Sequence, residues 1–83
     1  MELTIDCRNG MSAIHAQLAE ALSFPSWYGS NLDALHDQLT SLSGTIRLEN
    51  WEVVEERLGK YGLSAKRAIL HAALENEQLI VIL

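Results

Sequence analysis

Eighty-three residues, 48% hydrophobic and 20% charged, suffice for one small hydrophobic core, so a single domain over residues 1–83 is expected. The formal net charge of −5 opposes binding to nucleic acid or to anionic membrane surfaces, and no apolar segment approaches the length needed to cross a bilayer. The lone cysteine, Cys7, excludes an intrachain disulfide, and acidic Glu2 and polar Asp6 stand where a secretory signal needs basic and apolar residues, so the cytoplasm is the expected location and Cys7 is expected to be a buried strand residue.

Leu3, Ile5 and Cys7 alternate with Thr4 and Asp6, the period of a short strand, which Asn9-Gly10 ends. Ser12 is placed to cap a first helix with Ile14, Leu18 and Leu22 on one side, His15 on its surface, and an end before Pro25. Phe24, Trp27 and Tyr28 crowd into the following loop, with Trp27 and Tyr28 expected to be exposed. Gly29 there permits a backbone angle other residues resist. A second helix starts at about Ser30 or Asn31, where Ser30 and Asp33 have capping-box spacing. Leu32, Leu35, Leu39 and Leu42 form its buried stripe, Asp33, Asp37 and Thr40 face the other way, His36 lies at their edge, and Gly44 ends the segment.

Thr45–Leu48 reads as a second strand. A third helix is expected from about Asn50 to Lys60, with Trp51, Val54 and Leu58 inward, Glu52, Glu55, Glu56 and Arg57 in solvent, and Gly59 and Gly62 bracketing its end. Ser64 would cap a fourth helix from Ala65 to Glu75, packed through Ile69, Ala72 and Ala73 and carrying His71. The run Gln78–Leu83 is apolar without alternation, which suits a strand covered on both faces. Helical crossovers between strands imply parallel pairing. The expected fold is α/β: a small three-stranded parallel sheet with about four helices around it.

The segment from Trp27 to Asp37 carries the functional signal. Asp33 and Asp37 are four residues apart and share a helix face, and no Lys or Arg occurs between Arg8 and Arg47. Acid/base catalysis by the pair needs a buried, low-dielectric cleft, which an exposed helix face does not provide. Asp33, His36 and Asp37 have helical spacings that offer ligands to a metal ion, with His71 as a remote contributor. Docking of a basic protein uses the carboxylates for charge-assisted bonds, with Trp27 and Tyr28 as aromatic anchors. Two solvated surface aspartates, one favoured by the helix dipole, account for the pattern equally well. No nucleophile elbow, P-loop or dinucleotide fingerprint occurs, and neither an enzyme nor a resident cofactor or metal is expected.

The segment Phe24-Pro25-Ser26-Trp27-Tyr28-Gly29-Ser30-Asn31-Leu32-Asp33-Ala34-Leu35-His36-Asp37-Gln38-Leu39-Thr40 resembles the signature of the barstar family, small intracellular inhibitors of barnase-related ribonucleases. Chain length, element order, Leu48-Glu49 before Trp51 and the apolar C-terminal run also fit. The resemblance implies a non-enzymatic inhibitor that plugs a ribonuclease active site with the second helix and its preceding loop; a monomer is expected when free, although the sequence leaves the oligomeric state open. On matching positions, Asp37 would mimic the RNA phosphate, Asp33 would pair at the guanine-side rim, and Trp27 would stack on an active-site histidine. Gly29, Asn31 and Thr40 would shape the contacts, with Tyr28 and Leu32 beside them. The chain departs from the pattern at His36, where the best-known member has tryptophan, at Leu42, which replaces an aromatic, and at His71, where a further acid is expected. The alternatives are an orphan immunity protein for another basic toxin, an acidic docking module, or a small metal-binding protein using Asp33, His36 and Asp37.

Overall fold

The computed structural model describes residues 1–83. The order is β1 (Glu2–Asp6), α1 (Met11–Leu22), α2 (Leu32–Leu39), β2 (Gly44–Glu49), α3 (Trp51–Leu58), α4 (Lys60–Glu75) and β3 (Leu79–Ile82). The strands form one parallel sheet ordered β1-β2-β3, with Leu3 opposite Ile46 and Ile46 opposite Val81. This is the α/β architecture expected from the sequence.

One core holds the molecule together. Ile5, Cys7, Ile46, Leu48 and Leu79 from the sheet meet Ile14 and Leu18 of α1, Leu35 and Leu39 of α2, Trp51 and Val54 of α3, and Ala65, Ile69 and Ala72 of α4. Cys7 is fully buried, and desolvation pushes its thiol pKa up to about 11; it behaves as a packed apolar residue, as expected, and not as a nucleophile. At the mouth of the sheet, Arg8 hydrogen-bonds Asp6 through its guanidinium and backbone N–H and holds that carboxyl down at about 2.

The helices do not surround the sheet. Two like-handed crossovers stepping in one direction place every helix on one face, and the other face presents Thr4, Arg47 and Ile82 in register. β3 is therefore not covered on both sides: Leu79 is buried, but Ile80 is 58% exposed. Periodicity in a four-residue strand is too short to reveal this.

Several boundaries also differ. α1 begins at Met11, with Gly10 as its cap residue and no side-chain cap, so Ser12 lies inside the helix. α4 begins at Lys60, ahead of Ser64, and α3 ends at Leu58, which is exposed rather than inward. Gly62 belongs to α4 because the two helices meet there: a Cβ on Gly62 would lie 2.9 Å from the Val54 carbonyl oxygen. Its role is close backbone approach, not helix termination. Gly44 likewise opens β2 instead of ending α2.

His15 is buried, not a surface residue, and its Nδ1 shares a hydrogen bond with the Tyr28 hydroxyl. Desolvation lowers its pKa below the ordinary 6.5. The folded protein thus favours the neutral ring, and on acidification the unfolded chain takes up the proton first. This contribution to stability is complete above about pH 6.5 and declines as pH falls below it. Urea unfolding of the wild type should accordingly show a larger loss of midpoint between about pH 7.5 and about pH 5 than His15→Phe, which has no titrating ring. Parallel pH profiles for the two proteins would refute the assignment.

Candidate functional site

α2 has only eight residues, too few to persist alone, and it is held at both ends. Its N-cap is Asn31, whose side-chain oxygen accepts from the Ala34 N–H at 2.8 Å. The capping box with Ser30 does not form; Ser30 instead takes the left-handed conformation, with φ of 49°. Gly29 has no positive φ, contrary to expectation; a Cβ there would meet Asn31 Nδ2 at 2.8 Å and disturb the cap. At the far end the helix stops at Leu39, before Leu42. Asn76, buried at the end of α4, donates from Nδ2 to the Leu39 carbonyl at 3.0 Å and to the Leu42 carbonyl at 2.7 Å. The Leu39 carbonyl is one that the last turn leaves without an intrahelical partner, and the Leu42 carbonyl lies just beyond the helix. No sequence pattern singled out Asn76, because its partners lie more than thirty residues away.

Leu35 and Leu39 anchor one side of α2 in the core, with Leu32 and Leu42 half-buried against it. That fixes the opposite side outward. Asp33 and Asp37 are both exposed, the Asp37 side chain to 82%. The lysine and arginine ion pairs are elsewhere, between Arg8 and Asp6 and between Lys66 and Glu55. Thr40, half-buried, donates from Oγ1 to the Asp37 carbonyl at 2.8 Å and steadies the last turn.

The preceding loop divides its two aromatics. Trp27 is 75% exposed, as expected. Tyr28 is half-buried rather than exposed: it packs edge-on against Phe24, with ring centroids 4.8 Å apart, and meets His15. Burial pushes its phenol up to about 12. Tyr28 is thus the loop's anchor and Trp27 its projecting side chain. Exposed carboxylates on a capped helix can accept charge-assisted bonds from arginine or lysine, and a projecting indole on the loop before that helix supplies stacking area.

Two histidines lie near Asp37 and Glu75. His36, its side chain 27% exposed, lies with Nδ1 3.8 Å from Asp37 Oδ1 and Nε2 3.4 Å from Glu75 Oε2. His71, on α4, lies with Nδ1 3.5 Å from Glu75 Oε1, and its ring stacks on that of His36 at 5.6 Å. The metal-donor atoms that converge belong to His36, His71 and Glu75, not to Asp33, His36 and Asp37 as one helix alone suggests. His71 thus joins the edge of the carboxylate face. Glu75 was missed, although its position four residues after His71 was a readable signal.

The chain matches the family model described as "Barstar (barnase inhibitor)" over residues 1–81. It is also 36% identical over 88 residues to the Bacillus subtilis (strain 168) protein named "Putative ribonuclease inhibitor YrdF", covering 98% of this chain and 97% of that relative. Carried by a match over nearly the whole length, together with the parallel sheet and the capped, carboxylate-bearing helix after the Trp27-Tyr28-Gly29 loop, the conclusion is that this protein belongs to the barstar family.

Proposed function

We propose that this protein inhibits a barnase-like ribonuclease by occluding its active site with α2 and the loop before it. The observation that carries the proposal is the outward pair Asp33 and Asp37, free of lysine or arginine partners, on the helix that follows the loop of projecting Trp27. A ribonuclease cleft is basic because it binds RNA phosphates, so a rigid carboxylate array is complementary to it. Asp37 takes the place of a phosphate among the enzyme's Arg, Lys and His side chains, and Asp33 pairs at the rim. Trp27 stacks on a catalytic histidine while Tyr28 holds the loop from behind. Gly29, Asn31 and Thr40 keep the loop and helix in shape. Leu32, His36, Leu42 and His71 border the contact and tune which ribonuclease fits, since partner choice depends on penalising wrong surfaces as well as rewarding the right one.

In this reading the free inhibitor is a monomer acting in the cytoplasm, with no nucleic acid, membrane or cofactor involved. Titration of barnase-like ribonucleases with the purified protein tests it, with RNA cleavage as readout. Stoichiometric loss of activity is the expected result. Full activity of every such ribonuclease at saturating protein would overturn the proposal and leave an immunity protein for a different basic toxin as the surviving alternative.

A further inference from the structure

We infer that His36, His71 and Glu75 form a divalent metal site of the zinc class that clamps α2 to α4. Two of its ligands, His71 and Glu75, are four residues apart on α4, so they rise from one helix face. The third, His36, comes from α2 across the helix interface. The three residues offer donor atoms that all lie within 4.8 Å of one another. Glu75 sits between the imidazoles, with its oxygens 3.4 Å from His36 Nε2 and 3.5 Å from His71 Nδ1. The two contacts engage different Glu75 oxygens, and with all donors within 4.8 Å small side-chain rotations bring them to the edges of about 3.4 Å that a tetrahedral zinc site with metal–donor bonds of about 2.0–2.1 Å requires.

Two further observations point the same way. His36 Nε2 is buried and has no hydrogen-bond partner, despite lying near Glu75. A buried ring nitrogen without a partner is costly unless something satisfies it; His15 Nε2 and Trp51 Nε1 share that state, but of the three only His36 belongs to a group of converging metal donors. In addition, the other nitrogen of His36 faces Asp37 Oδ1 at 3.8 Å. At that distance the carboxylate makes no hydrogen bond to the ring; closing the gap would give the carboxylate support that metal-bound histidines use. The donor set, two imidazoles and one carboxylate, suits zinc rather than calcium or magnesium, which prefer all-oxygen shells. The fourth tetrahedral position is left to water. Neither cysteine nor Asp33 takes part: Cys7 is buried in the core, and Asp33 is not among the converging residues.

A metal bound here stabilises the folded state, because it joins a short helix to a long one only when both are in place. Zinc titration of the chelator-stripped protein alone, with no affinity tag, tests the site independently of any ribonuclease. Wild type should bind one equivalent with an affinity on the order of micromolar or tighter, and its Tm should rise with zinc. His71→Ala and Glu75→Gln alter side chains that are about half exposed or more, so both proteins should fold, as checked by far-UV circular dichroism. Each should weaken zinc binding by at least about tenfold, since losing a residue that merely supports a ligand already costs about 10–100-fold, and each should lose the Tm shift. Glu77→Gln, just beyond α4, should bind as wild type does. Binding only at millimolar zinc, or one-equivalent binding that survives both substitutions, would overturn the site.

Discussion

Asp37→Ala should weaken binding to a barnase-like ribonuclease by about 2–5 kcal/mol, the range found when one partner of a close interfacial charge pair is truncated, a general scale that the barnase–barstar complex itself helped to set. The reason for expecting the upper part of the range is positional. Asp37 lies on the last full turn of α2, directed outward by Leu35 and Leu39 behind it, and its side chain is almost entirely in solvent before docking. Removing it costs this protein no internal lysine or arginine bond. Apart from the 3.8 Å approach of its carboxylate to His36, the loss falls on the complex, where cationic groups of the enzyme would be buried without a counter-charge. Asp37→Asn separates charge from shape: it should recover little affinity, because an amide cannot pair with two guanidinium donors as a carboxylate does. Association should slow in both variants at low salt, and the difference from wild type should shrink as salt screens the field. An affinity unchanged in Asp37→Ala would exclude the phosphate-mimic role.

Leu35→Ala is expected to be the more damaging change to the fold itself. Leu35 has no exposed surface and stands on the inner side of the helix that carries both aspartates. Truncating a buried leucine removes transfer free energy and leaves a cavity, together about 2–5 kcal/mol. A domain of this length has a total stability of about 4–12 kcal/mol, so the variant should lose a large share of it. The urea midpoint should drop with little change in m, because the surface exposed on unfolding is nearly the same. Ribonuclease binding measured well below the transition should weaken far less than in Asp37→Ala, since the outward face is untouched. A loss smaller than about 1 kcal/mol would mean that α2 can close over the missing side chain.

These two residues mark what was readable before the structure. The spacing of Leu32, Leu35 and Leu39 identified the inner side of α2, and the same spacing set Asp33 and Asp37 on the outer side. Both follow from the 3.6-residue period, a property of consecutive residues alone. The element order and the parallel sheet were legible for a related reason, since a helical crossover leaves few ways to pair the strands. The capping box at Ser30 and the start of α4 at Ser64 were misread. In each case a residue with the right chemistry had a neighbour better placed by packing: Asn31 bonds Ala34, and α4 extends back to Lys60 because Gly62 lets it lie against Val54.

The sequence by itself determined the local surfaces: which side of α2 is apolar, where its carboxylates stand, and that an aromatic loop precedes them. Only the tertiary structure decided which distant groups meet those surfaces. His15 is buried because Tyr28 folds back onto α1, Ile80 is exposed because all helices share one face of the sheet, and Asn76 ties down the end of α2 from more than thirty residues away. The cluster of His36, His71 and Glu75 exists because α2 and α4 pack side by side. Such meetings depend on chain segments brought together by burial of the common core, and residue periodicity within a single helix or strand carries no information about them.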